Sequence, residues 1–172
     1  MPIFTAIPHD AFVADVHALA GAIAADAGWR PDYLVGIGRG GLVPAVYLSH
    51  ATGVPMVSCD QSSGAIDLVD ATLGRLAQWA AAGRRLLFVD DINDSGRTIA
   101  QLRGALSGAG APDDRCRFAT LIDNERSAER VDYRARTIDR RVTKDWFVFP
   151  WEAVAPQAAI EEDAAEVPDR IA

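Results

Sequence analysis

The sequence predicts an α/β domain: an open, mostly parallel, twisted sheet flanked by helices. Two patterns carry that expectation. Short apolar runs rich in β-formers alternate with helical segments of roughly 10–15 residues, as parallel strands alternate with crossover helices on both sheet faces. Polar, glycine-bearing turns then follow the first three apolar runs, where such sheets bind ligands, beyond the carboxyl ends of the strands.

The elements follow in order. Over 10–28, Phe12, Val16, Leu19 and Ile23 recur on one helical face, and Gly28 is a stop signal. YLVGIG (33–38) reads as a buried strand, and a helix is expected over 42–51, with Pro44 tolerated near its first turn. VPMVSC (54–59) is a second strand. The polar stretch 60–67 has no periodicity and reads as a loop or lid. A helix over 68–83 carries Leu73, Leu76, Ala77 and Ala80 on one face. A third strand covers 86–89, and a further helix contains Ile99, Leu102 and Leu106. A fourth strand covers 116–122. The run 124–145 is polar and mixed in charge. The aromatic stretch 146–150 is a last strand, ended by Pro150. Residues 1–152 are expected to form one domain, with a core over about 30–122 and a hood over 123–152. Residues 153–172 are an acidic tail, loosely attached from Glu161 onward.

Composition narrows the classes of function. A chain of 172 residues that is 49% hydrophobic suffices for one sizeable core. No apolar run reaches the length of a membrane span, and the N-terminus lacks the pattern of a secretory signal. Cys59 and Cys116 match no metal spacing and read as ordinary thiols, so the protein is expected to be cytoplasmic. The net charge of -7 argues against nucleic acid as a partner, because phosphate neutralisation needs clustered Lys and Arg. It leaves room for an anionic small molecule at a local site.

The richest segment is LLFVDDINDSGRT, 86–98. Two adjacent carboxylates, Asp90 and Asp91, end a buried strand, where like charges are costly unless something uses them. Behind them Asp94, Ser95, Gly96, Arg97 and Thr98 form a turn running into a helix. Consecutive backbone N–H groups and the helix N-terminus make an anion cradle there, to which the hydroxyls of Ser95 and Thr98 can add. The aspartates would repel that anion unless they face sugar hydroxyls or a Mg²⁺ shell. A phosphorylated sugar satisfies both demands. The turn GRGG (38–41) resembles a second cradle: Gly38 and Gly40 free the backbone, and Arg39 brings a fork of donors suited to phosphate. It is not a dinucleotide fingerprint, and it lacks the GK[ST] of a P-loop.

These motifs resemble those of the type I phosphoribosyltransferases. DDINDSGRT resembles their diphosphoribosyl-binding motif, GIGRGGLVPA (36–45) the pyrophosphate loop of the 6-oxopurine branch, and KDWFVFPWE (144–152) the base-binding segment of the xanthine–guanine type enzymes. The three stand in the expected order over about 30–152. The resemblance implies transfer of a 5-phosphoribosyl group from phosphoribosyl diphosphate to guanine, xanthine or hypoxanthine, with Mg²⁺ as cofactor and a homodimer or homotetramer as the assembly. It implies that Asp90 and Asp91 bind the ribose hydroxyls, partly through Mg²⁺, and that residues 94–98 wrap the 5′-phosphate. Asp94 would be the general acid/base near purine N7. Arg39 and Gly40 would frame the pyrophosphate in a loop that often holds a non-proline cis peptide. Trp146 would stack on the base, the backbone at Phe147 would read its edge, and Glu152 would help organise a second Mg²⁺. The loop 60–67 would be the mobile flap.

One departure affects the base. Relatives carry a lysine for the purine 6-oxygen where TLIDNERS (120–127) has Asn124. An asparagine amide can donate to a 6-oxygen or accept from a 6-amino group, and Lys144 could supply the missing cation from another direction. An adenine or pyrimidine enzyme, or a regulator that binds phosphoribosyl diphosphate or a nucleotide without turnover, remain the alternatives.

Overall fold

A computed structural model describes residues 3–60 and 66–165 of the chain, with residues 66–69 described as backbone only. Five parallel strands form the main sheet in the order β3-β2-β4-β5-β6: β2 (Tyr33–Ile37), β3 (Met56–Cys59), β4 (Leu86–Asn93), β5 (Cys116–Asn124) and β6 (Tyr133–Ile138). A separate pair, β1 (Phe4–Ala6) and β7 (Trp146–Val148), runs parallel, whereas β6 of the segment 123–152 joins the main sheet. The helices are α1 (His9–Ala25), α2 (Gly38–Thr52), α3 (Ile66–Ala81), α4 (Arg97–Gly108) and α5 (Gln157–Ala165).

The near-continuous apolar run of β4 is explained by burial on both faces. Leu87 and Val89 point into one core with Phe12, Leu19 and Leu48, while Leu86 and Phe88 point into the other with Leu76, Leu102 and Phe118. The strand order reverses between β2 and β4, since the connection from β2 leads to one edge and that from β4 to the other. Ligands of open α/β sheets bind at such a switch point. The turns that leave β2 and β4 there are GRGG and DINDSG.

Several boundaries differ from expectation. The GRGG turn is the first turn of α2, which starts at Gly38 rather than residue 42, with Pro44 inside the helix. Strand β4 continues through both aspartates, because Asp90, Ile92 and Asn93 pair with Thr120, Ile122 and Asp123 of β5. Strand β5 accordingly runs to Asn124. Strand β6 arises inside the mixed-charge run as the sheet edge, where Arg134 is exposed and Arg136 pairs with Asp15 of α1 at 2.9 Å. Strand β1 was not expected either. The acidic segment after 152 forms helix α5, with Ala164 buried, where a loosely attached tail was expected from Glu161. The expected flap 60–67 lies mostly outside the described residues. Cys59 and Cys116 are free, and burial pushes both thiols up to about 11, as unreactive packing groups require. Among the described residues no helix is long and apolar enough to cross a membrane.

Candidate active site

The turn after β4 is built around Gly96, which adopts φ 87° just before α4. A side chain there would be strained, and its Cβ would lie 2.7 Å from the Glu129 amide nitrogen and 2.8 Å from Ser127 Oγ. The turn is therefore held from behind. Asn93 Nδ2 donates to Asp123 Oδ1 at 2.8 Å and to the Glu129 carbonyl at 2.9 Å, while Ser127 Oγ donates to Asn93 Oδ1 at 2.9 Å. This leaves the outer side of the turn and the N-terminus of α4 around a cavity of about 220 Å³ lined by residues 90–99. Ser95 and Arg97 are exposed and Thr98 half-buried, and all three line this cavity together with Asp90, Asp91 and Asp94.

The N-terminus of α2 abuts the same strand end. A Cβ on Gly40 would lie 2.6 Å from Asp91 Oδ2, and one on Gly41 would lie 2.0 Å from the Val89 carbonyl oxygen. Only glycine allows this approach, which sets the GRGG turn directly against the paired carboxylates. Arg39 is exposed, and its charge favours the ionised form of Glu152 across the site. The described peptide bonds are all trans, those of residues 38–41 included, so the cis bond implied by the resemblance is absent.

Asp91 N donates to Asp90 Oδ1 at 3.0 Å, and Ile92 N to Asp91 Oδ1 at 2.7 Å. Burial, and then the neighbouring charge of Asp91, hold the Asp90 carboxyl well above the ordinary carboxylate range. A cation or sugar hydroxyls would relieve that penalty. Two hard carboxylates suit Mg²⁺, which takes one or two protein oxygens and completes its shell with substrate phosphates and water. Among the described residues no group of three or more His, Cys, Asp or Glu side chains is placed to hold a metal ion. Glu152 Oε2 accepts from Phe149 N at 2.8 Å, and burial raises its carboxyl.

A second cavity, about 170 Å³, shares Asp91 and Ile92 with the first and is otherwise lined by Arg140, Trp146, Phe147, Phe149 and Glu152. Its aromatic wall is set by β7, whose register places Phe4 beside Trp146 and Thr5 beside Phe147. Trp151 anchors that wall to α1 through an edge contact with Phe12, centroids 5.3 Å apart. A larger cavity of about 730 Å³ lies at the amino end of β5, between α4 and the turn Asp113–Arg115. It touches neither glycine turn, and the chemistry of the motifs belongs to the smaller pair.

Two expected base contacts are placed elsewhere. Asn124 is 5% exposed and lines neither cavity. Its Nδ2 donates to the Asp94 carbonyl at 2.9 Å, and its Oδ1 accepts from Arg126 N and Arg140 N. It pins a turn instead of facing a base. Lys144 likewise lines neither cavity. The cation that does line the base-side cavity is Arg140, which sequence reasoning missed. Arg140 Nε donates to Asp94 Oδ1 at 3.0 Å and Nη2 to Asp94 Oδ2 at 3.1 Å. Burial, partly offset by Asp145, pulls its guanidinium down to about 10, which leaves it protonated at neutral pH. The one signal for it was the missing lysine, which called for a cation from another segment.

Solved structures share this architecture. A purine phosphoribosyltransferase from Pyrococcus horikoshii is 24% identical, with 89% of this chain and 97% of that one covered and a TM-score of 0.64. The xanthine–guanine–hypoxanthine phosphoribosyltransferase of Helicobacter pylori is 19% identical, with 87% and 94% covered and a TM-score of 0.65. A hypothetical protein from Neisseria gonorrhoeae, solved with bound ppGpp, is 21% identical, with 96% and 98% covered and a TM-score of 0.64. At these identities the likeness shows the fold. The sequence model of the phosphoribosyl transferase domain, in turn, matches residues 7–157, nearly the whole described chain. With the two glycine turns, the paired carboxylates and the sheet order in place, the chain belongs to the phosphoribosyl transferase domain family.

Proposed function

We propose that the protein transfers the 5-phosphoribosyl group of phosphoribosyl diphosphate to a 6-oxopurine (guanine, xanthine or hypoxanthine), giving a nucleoside 5′-monophosphate and pyrophosphate. The observation that carries this reading is the pair of adjoining cavities. One is walled by an anion cradle and paired carboxylates, the other by aromatic rings and a guanidinium, and they share Asp91 and Ile92.

In this reading the amides and hydroxyls of residues 94–98 anchor the 5′-phosphate, and Asp90 and Asp91 face the ribose hydroxyls. Arg39 and the backbone at Gly38 and Gly40 receive the pyrophosphate. A purine ring nitrogen attacks the anomeric carbon as the bond to pyrophosphate breaks, through a transition state with oxocarbenium character. Holding both ends of the sugar phosphate supplies the orientation. Mg²⁺, held by Asp90 and Asp91, would neutralise charge on the diphosphate when bound. Asp94 holds the purine proton near N7. Trp146 and Phe147 pack the base, and Glu152 stands at the edge of its cavity.

Specific observations bear on both alternatives. Asn124, the feature that favoured an adenine or pyrimidine base, is turned away and engaged. Transfer and binding without turnover divide on the engagement of both Asp94 oxygens by Arg140, which holds the carboxylate ready for the purine proton in the first reading and occupied in the second. A steady-state assay with phosphoribosyl diphosphate, Mg²⁺ and guanine, hypoxanthine, xanthine, adenine or uracil separates these readings. Product with a 6-oxopurine is expected. Product with adenine or uracil alone would overturn the choice of base, and none with any base would overturn transfer itself.

A further inference from the structure

Arg140 belongs to no recognised motif, yet it joins three segments of the site. Its Nε and Nη2 take the two oxygens of Asp94, and its Nη1 donates to the carbonyls of Thr143 at 3.1 Å and Asp145 at 2.7 Å. Its guanidinium carbon lies 5.2 Å from the centroid of the Phe147 ring. The side chains of Arg140 and Asp94 are only 9% and 14% exposed. Asn124 completes the arrangement: its amide holds the Asp94 carbonyl, and its oxygen accepts from the backbone N–H of Arg140. The backbones of Asp94 and Arg140 are thus tied through Asn124, and their side chains are tied directly.

We infer that Arg140 is the positioning residue of this site, tying the carboxylate of Asp94, which lines the cradle-side cavity, to the adjoining base cavity, where Arg140 is the one cation among the described lining residues. The inference rests on the transferase reading above. A planar fork matches a carboxylate at two points and fixes both its position and its plane, which a single ammonium does not do. The short amide of Asn124 brings the connection between β6 and β7 close enough for this fork to reach. The cation of the base cavity therefore comes from the connection between β6 and β7, while position 124 carries an amide. A carboxylate held this way meets the purine proton without reorganising, and small displacements of such a group are expensive.

The test uses the full chain with a 6-oxopurine and reads kcat separately from the KM for phosphoribosyl diphosphate. Arg140→Gln is expected to lower kcat by about 10- to 100-fold and to leave that KM within about threefold, because the phosphate cradle does not involve Arg140. On an Asp94→Asn background the same change is expected to shift kcat by less than about threefold, since residues acting as one unit are not additive. Arg140→Lys, which keeps the charge and loses the fork, is expected to recover only part of the loss and serves as the measurement if the Gln variant does not fold. Unchanged kcat in either single variant, or an equal loss with and without Asp94, would overturn the inference. Absence of turnover in the unaltered chain would overturn the transferase reading and this inference with it, whereas turnover insensitive to Arg140 would overturn this inference alone.

Discussion

Arg140 grips both carboxylate oxygens of Asp94, at 3.0 and 3.1 Å, across 46 residues of sequence. The contact joins the turn after β4 to the segment that walls the aromatic cavity.

The first consequence concerns Asp94 itself. Asp94→Asn is expected to lower turnover by about 10²- to 10⁴-fold, the range for loss of a positioned acid or base. Binding of phosphoribosyl diphosphate, which relies on the amides and hydroxyls of the cradle, is expected to be nearly unchanged by calorimetry. The variant also removes the two-point carboxylate partner of Arg140, and a loss of about 1–3 kcal/mol in urea denaturation is expected.

The glycines of α2 give a paired prediction. Gly41→Ala places a Cβ 2.0 Å from the Val89 carbonyl oxygen and must push α2 off the end of β4. It is expected to destabilise by about 1–3 kcal/mol or more, as overpacking does, and to weaken phosphoribosyl diphosphate binding. Gly104→Ala in the exposed middle of α4 meets nothing within 4 Å. That change is expected to stabilise by about 0.5–1 kcal/mol and to leave activity unchanged.

Asp90 should show a trade between stability and function. Asp90 is half-buried beside Asp91, and desolvation and then the Asp91 charge hold its carboxyl high, so the ionised pair costs the unliganded protein stability. Asp90→Asn is expected to raise the melting temperature of that protein at neutral pH. It should also weaken Mg²⁺-dependent binding of phosphoribosyl diphosphate by about tenfold or more. A fall in melting temperature would show that the carboxylate pair is satisfied without a ligand.

Away from the site, Asp26 provides a pH signature of the fold. It accepts from Arg117 Nη1 at 2.6 Å and from the Tyr133 hydroxyl at 2.9 Å, and these bonds, that to Arg117 first, lower its carboxyl to about 2. A depressed folded-state value stabilises above the unfolded value, and that contribution is lost as pH falls through the folded one. Asp26→Asn is therefore expected to melt below the parent chain at pH 7, with the gap closing between about pH 4 and pH 2. A gap that persists at pH 2 would contradict this.

The central strands and the two glycine turns were legible in the sequence because their signals are local. An apolar run buried on both faces is continuous, and the turns that end it need glycine and polar side chains at fixed offsets. Strand β6 was hidden because an edge strand can carry Arg134 exposed and Arg136 paired with Asp15 of α1, which breaks the apolar pattern. Asn124 was misread because its place after a strand says nothing of where its amide points. Here the amide points back to the Asp94 carbonyl. Arg140 could not be picked out of the arginines between 126 and 141, since its burial is decided by a carboxylate distant in sequence. Lys144, the cation chosen in its stead, sits four residues away and lines neither cavity.

The most direct measurement follows a single sample of the full chain with Mg²⁺, phosphoribosyl diphosphate and hypoxanthine by phosphorus NMR. The account predicts that the diphosphate resonances of the substrate give way to free pyrophosphate and a nucleoside monophosphate in equal amounts, only when the base is present. Substrate that persists unchanged, or pyrophosphate released equally without the base, would contradict it.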